Sequence, residues 1–222
     1  VFRFSLDVSQ NIALTIMVCN DNPLTDLDVN NNTALTYLSC NNNQLTNLDV
    51  NNNTALTELH CDNNQLTNLD VNNNTALTYL RCQNNQLTSL DVSNDTALFY
   101  LYCGYNQISS LDMRQNTNLN RLECNDNLLI CLNVKNGNNA ALYTIRATNN
   151  PGLTCVEIDD TASTGTSSWM FDPQVSFSTN CNNPCSITVG ISETTETPLR
   201  AYPRSEERRV GKECRSRWSP HH

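Results

Sequence analysis

Leu48-Asp49-Val50-Asn51-Asn52-Asn53-Thr54-Ala55-Leu56-Thr57-Glu58-Leu59-His60-Cys61-Asp62-Asn63-Asn64-Gln65-Leu66-Thr67-Asn68 is followed by a near copy of itself. The leading leucine recurs every 21 residues, at Leu27, Leu48, Leu69, Leu90, Leu111 and Leu132. A unit this short cannot enclose a core alone, so it must bury its apolar positions against the units before and after it. The periodicity therefore predicts a stacked, elongated architecture in which one coil repeats.

The half from Leu56 to Leu66 reads L-x-x-L-x-L-x-x-N-x-L with Cys61 in the third leucine slot. Copies in phase begin at Leu14, Leu35, Leu56, Leu77, Leu98 and Leu119, and the asparagine slot holds Asn22, Asn43, Asn64, Asn85, Asn106 and Asn127. This pattern resembles the leucine-rich repeat. Its centre is predicted to be a short strand with Leu59 and Cys61 inward and Glu58, His60 and Asp62 outward. Successive strands would pair in parallel, and the asparagine amide would satisfy loop backbone that no ladder reaches. The other half, Leu45 to Leu56, is a weaker echo with Asp-Val-Asn-Asn-Asn at its middle, which favours a second short extended run and a turn over a helix. The expected fold is mainly β: a right-handed leucine-rich-repeat solenoid with a parallel sheet on the concave face and a helix-poor convex side.

Among the 222 residues the repeat accounts for 1–158, which begins inside a coil and is expected to be truncated at its N-terminus. Residues 159–185 are expected to form a C-terminal cap and 186–203 a linker with the start of another domain. Residues 204–222 read as the in-frame translation of a sequencing adapter and are set aside, together with Cys214. The net charge of −9 would be more negative still without that basic tail, which argues against nucleic-acid binding. No apolar stretch is long enough for a membrane-spanning helix.

The cysteines fall into two classes. Cys19, Cys40, Cys61, Cys82, Cys103 and Cys124 keep the repeat spacing at an inward strand position and are expected to stack as buried, unbonded thiols. Cys131, Cys155, Cys181 and Cys185 break the phase. A bond between Cys155 and Cys181 is favoured, with Cys131 to Cys155 as its competitor, and sequence leaves the connectivity open. Either bond implies an oxidising compartment.

The stretch Asn149-Asn150-Pro151-Gly152-Leu153-Thr154-Cys155-Val156-Glu157-Ile158, with Ser168-Trp169 and Phe177-Ser178-Thr179-Asn180-Cys181, resembles secreted leucine-rich-repeat proteins of flavobacteria and related Bacteroidota. The cysteine-bearing 21-residue repeat is similar to the ladder of internalin J-like proteins, and Pro198-Leu199-Arg200-Ala201-Tyr202-Pro203 resembles the opening of a type IX secretion sorting domain. The resemblance implies an extracellular or cell-surface recognition protein, and it carries over no catalytic residue.

Candidate binding residues are the outward positions of the concave strands: Tyr37, Glu58, His60, Tyr79, Arg81, Tyr100, Tyr102, Tyr105, Arg121 and Glu123. Exposed tyrosines among charged groups suit protein or glycan recognition, although tyrosine also favours strands for packing alone. Asp28, Asp49, Asp70, Asp91 and Asp112 form a convex row whose hydrogen bonding to neighbouring turns is favoured over calcium binding. Glu58, His60 and Asp62 are the tightest acid and base group, but no nucleophile stands beside them because Cys61 points inward. The reading is a monomeric, non-enzymatic module that binds a protein or polysaccharide through its concave face, without cofactor, metal, nucleic acid or membrane insertion. The alternative is a structural or adhesive spacer that carries another domain.

Overall fold

A computed structural model describes residues 4–161, 168–182 and 185, all within one compact unit, Val1–Ile187. The expected linker and sorting segment and the adapter-like tail lie outside the described residues. The fold is a leucine-rich-repeat solenoid made of parallel strands, with no α-helix among the described residues.

Its main sheet has eight strands: Ile16–Val18, Tyr37–Ser39, Glu58–His60, Tyr79–Arg81, Tyr100–Tyr102, Arg121–Glu123, Thr144–Arg146 and Trp169–Met170. The register repeats the sequence phase, setting Leu38 beside Leu59, Leu59 beside Leu80, Leu80 beside Leu101 and Leu101 beside Leu122. Those leucines are fully buried, as are Cys40, Cys61, Cys82, Cys103 and Cys124. Period-2 alternation explains the pattern, because every other side chain of a strand faces the interior. The six ladder thiols are unbonded. Two of them donate to the next coil, Cys61 Sγ to Arg81 O at 3.3 Å and Cys82 Sγ to Tyr102 O at 3.6 Å. Burial pushes the Cys103 thiol up to about 12 and holds Cys40, Cys61, Cys82 and Cys124 well above the ordinary range, so none is a ready nucleophile.

Two rows of asparagines, buried except for the half-buried Asn85, hold the coils in register. In the first, Asn64 Nδ2 donates to Cys40 O and Cys61 O while its Oδ1 accepts from Leu45 N at 3.0 Å, and Asn43, Asn85, Asn106 and Asn127 repeat the arrangement. In the second, Asn53 Nδ2 reaches Val29 O and Asn32 O of the previous coil, and Asn74 reaches Val50 O and Asn53 O. Backbone groups in turns have no ladder partner, and these amides supply it.

The opposite side is less regular than the weaker half-repeat suggests. A hydrogen-bonded ladder runs only through Ser110–Asp112, Cys131–Asn133, Cys155–Glu157 and Ser176–Ser178, with a separate pair, Ser5–Leu6 and Asp26–Leu27, near the other end. Between them the chain makes turns in which Asp28, Asp49, Asp70, Asp91 and Asp112 each accept from the backbone N–H two residues on. Local carboxylate-to-backbone bonds of this kind explain the recurrence of aspartate.

Trp169–Met170 and Ser176–Ser178 extend both sheets by one strand, and Trp169, Phe171, Val175 and Phe177 pack on the end of the core. The indole donates to Leu142 O at 2.8 Å, and Asp172 accepts from Asn149 N and Asn150 N. Disulfides join Cys155 to Cys181 and Cys131 to Cys185. The competing Cys131 to Cys155 bond is not formed, although the two cysteines hold equivalent places in neighbouring strands, because each finds its partner in the segment that follows.

Candidate recognition face

Outward positions of the main sheet bring the sequence-selected residues into two adjoining groups. The first is an aromatic strip. Tyr37 lies 5.3 Å from His60, His60 5.1 Å from Tyr79, and Tyr79 5.3 Å from Tyr100 and 5.5 Å from Tyr102, centroid to centroid. The register causes this, since Tyr79 pairs with Tyr100 and Arg81 with Tyr102 in neighbouring parallel strands. The rings were expected to stand exposed, yet Tyr37, Tyr79, Tyr100 and Tyr102 are half-buried, each covered by its neighbours across the sheet. Burial and a hydrogen bond with Tyr102 push the Tyr79 phenol up to about 12.

The second group is charged. Arg81 lies over Tyr102 at 5.1 Å and Tyr79 at 5.8 Å, and Arg121 over Tyr102 at 5.5 Å. Arg121 grips Glu123 Oε1 from Nε at 2.9 Å and from Nη2 at 2.6 Å, and Arg146 stands 3.7 Å from the same oxygen. Among the described residues Arg81 forms no ion pair. Glu58 is 3.7 Å from His60, but burial and then Arg81 hold the imidazole below its ordinary range.

Asp62 departs from the expected outward row. It is buried, accepts from Asn63 Nδ2 at 2.7 Å, and is raised by that burial. The equivalent Asn41, Gln83 and Asn125 stay half-exposed, whereas Asp62 turns to the amide of Asn63 and lies within the field of Arg81. Glu58, His60 and Asp62 thus do not form an open acid and base group.

Beside the aromatic strip opens a cavity of about 740 Å³. Arg81, Tyr102, Tyr105, Arg121 and Glu123 line it, whereas Tyr37, Glu58, His60, Tyr79 and Tyr100 do not. Sequence reasoning missed Arg146, Gly104 and Met170 in the same lining. Arg146 occupies the outward place equivalent to Glu123, paired with it in register, but the spacing between these coils departs from 21 and hides the correspondence. Gly104 and Tyr105 carried a legible signal, because they stand where the other coils have Asp62-Asn63, Gln83-Asn84 or Asn125-Asp126. Among the described residues no group of three or more His, Cys, Asp or Glu side chains is placed to share a metal ion.

No protein-family model and no curated protein sequence matches this chain. Solved structures do. The functional domain of InlJ from Listeria monocytogenes, which includes a cysteine ladder, is 31% identical with a TM-score of 0.66, covering 78% of this chain and 42% of that one. An internalin from the same species is 24% identical with a TM-score of 0.55, covering 77% and 50%. The leucine-rich effector protein YopM of Yersinia pestis is 25% identical with a TM-score of 0.56, covering 72% and 49%. The chain thus spans half or less of the length of these similar proteins, which share its leucine-rich-repeat fold.

Proposed function

We propose that this protein is a non-enzymatic, extracellular recognition module that binds a protein or polysaccharide along the concave, main-sheet face, from Tyr37 through the cavity at Arg121 and Arg146. The observation that carries this reading is the continuous outward strip of aromatic rings and guanidiniums on neighbouring strands, spaced 5.1 to 5.5 Å, opening into the cavity. Stacked tyrosines and arginines offer large, rigid contact area at little cost in conformational entropy, which is why binding hot spots favour them. Leucine-rich-repeat neighbours and the two disulfides are consistent with a secreted binding protein. No helix among the described residues is long and apolar enough to cross a membrane.

Two features support the non-enzymatic reading. The nearest thiol, Cys61, is buried and held protonated, and Ser39, which neighbours His60 across the sheet, donates its hydroxyl to Asn41 Oδ1 at 2.8 Å instead of to the imidazole.

The test is a glycan and protein array probed with the wild type and with Tyr100→Ala combined with Tyr102→Ala. Loss of every bound feature in the double variant, with unfolding temperature little changed, is the expected result. Retention of all binding by the double variant would overturn the reading and favour the spacer.

A further inference from the structure

Resting on that reading, we propose that the cavity bounded by Arg81, Tyr102, Tyr105, Arg121 and Arg146 is a subsite for an acidic sugar, a uronate unit of a polysaccharide. Three independent features point there.

Charge is the first. The chain carries −9 overall, yet three of its arginines line one cavity, while the other described cations, Arg114 and Lys135, are engaged elsewhere with Asp112 and with Thr179 O. Within the lining, Arg121 and Arg146 share the single carboxylate of Glu123. Asp126, the other carboxylate, is turned to the amides of Asn125 and Asn149 at 2.7 and 2.8 Å. Among the described residues Arg81 makes no ion pair, although Asp62, which does not line the cavity, lies near enough to feel its charge, and its guanidinium rests over Tyr79 and Tyr102. A guanidinium fixed in this way is prepared for a bidentate grip on a carboxylate. Hydrogen-bonding capacity is also unspent, since Arg81 Nε and Gln83 Oε1 are buried without partners.

Backbone strain is the second. Asp21, Asn42, Asn63, Asn84, Asp126 and Asn149 occupy the left-handed region at one place in each coil, and the repeat meets that need with the residue types that tolerate it. In one coil the occupant is Tyr105, at φ 54. An aromatic residue there costs about 1 kcal/mol or more, and a ring that is 55% exposed returns no core burial to offset it. Gly104 accompanies it. A Cβ there would come within 3.0 Å of Asn125 O and Oδ1, so glycine answers the close approach of the next coil directly beneath Tyr105. The packing of the coils accounts for Gly104, but the fold gains nothing from the ring of Tyr105, whereas a ligand would.

The lining itself selects the class. Its apolar surface is confined to the tyrosine faces and Met170, and amides of Gln83, Asn84, Asn125 and Asn149 surround them. A uronate pyranose presents a flat C–H face for the ring, hydroxyls for the amides and a carboxylate for the guanidiniums. A polyglutamate peptide can meet the guanidiniums and amides but offers the tyrosines no flat C–H face.

The experiment titrates the protein calorimetrically with oligosaccharides of galacturonate, of mannuronate and guluronate, and of glucuronate-containing repeats. The carboxyl-reduced form of each and a polyglutamate peptide serve as comparisons. At least one uronate series is expected to bind tighter than its reduced form by about tenfold or more, with Arg81→Gln removing that margin. Tyr105→Asn, which restores the residue type of the other coils, is expected to weaken binding several-fold while raising the unfolding temperature, so lost binding cannot be lost folding. Tyr143→Ala, an exposed tyrosine outside this lining, leaves the affinity unchanged. The subsite is overturned if no uronate outbinds its reduced form, if Tyr105→Asn keeps full affinity, or if polyglutamate binds and the sugars do not. The last result would preserve the wider recognition face and replace only the ligand, whereas indifference of every bound ligand to Tyr100→Ala with Tyr102→Ala would remove the face itself.

Discussion

The main-sheet face and the side opposite it are built from the same coil and obey different rules. On the main sheet the outward pair changes at every step, from Tyr37 and Ser39 to Glu58 and His60, Tyr79 and Arg81, Tyr100 and Tyr102, then Arg121 and Glu123. On the other side Asp-Val-Asn-Asn-Asn returns with little alteration, because its residues are held by the fold. The aspartate closes a turn, the valine is buried, and the last asparagine bonds the previous coil. Uniformity therefore marks positions that hold the stack together, and variety marks positions that the stack leaves unconstrained. One residue crosses that division. Asp95 stands in the second asparagine row, fully buried, and neither carboxyl oxygen has a hydrogen-bond partner.

The comparison breaks most severely at the seam both sides share. Leu59→Asp puts a charge where no solvent reaches, and is expected to cost more than the ~2–5 kcal/mol of a leucine-to-alanine cavity. Because each coil rests on its neighbours, hydrogen exchange should show protection lost over several coils, and loss confined to one would contradict the stack. Next comes the closed end. Reduction, or Cys155→Ser with Cys181→Ser, is expected to cost ~2–4 kcal/mol, read as faster exchange around Thr144–Arg146 and Trp169–Met170 while Glu58–His60 stays protected.

Asp95 sharpens the contrast through pH. Burial, with repulsion from Asp91 and Asp70, pushes its carboxyl up to about 7, against about 3.9 in the unfolded chain. The folded state therefore holds the proton more tightly. That stabilisation is complete below about pH 4 and declines by ~1.4 kcal/mol per unit until the folded group itself ionises near 7. Chemical denaturation of the wild type should give lower stability at about pH 8 than at about pH 5. Asp95→Asn should flatten that difference and raise stability at the higher pH, since an amide there can donate to Val71 O and Asn74 O as Asn74 donates to Val50 O and Asn53 O. An unchanged pH profile in the variant would show that the carboxyl is not the group responsible. The smallest effect falls on the variable face. Tyr102→Ala removes ring contacts worth about 1 kcal/mol and should barely move the unfolding midpoint. A large drop would mean that the strip serves the fold and not a ligand.

Period alone made most of the solenoid legible. Leu59, Cys61 and Asn64 could be placed inside because they recur in phase, and a recurrent position has one environment. What escaped depended on departures from phase or on side chains folding over. Arg146 was hidden by irregular spacing, and Cys185 by having no counterpart in any coil to suggest its bond to Cys131. Asp62 departs from the outward row through its bond with Asn63 and the nearby charge of Arg81, and the half-burial of the tyrosines follows from ring packing that no linear pattern encodes. Tyr105 was recognised as a candidate by its chemistry, while the conformation that sets it apart is visible only in three dimensions.

Gln44 to Thr57 and Gln65 to Thr78 are the same words written twice, and the amides of Asn53 and Asn74 reach back to matching carbonyls one coil earlier. A gene segment excised or copied between such stretches would leave every remaining coil with the neighbour it already fits. Recombination can thus lengthen or shorten this protein by whole turns, adding or subtracting outward side chains on one face without renegotiating the other.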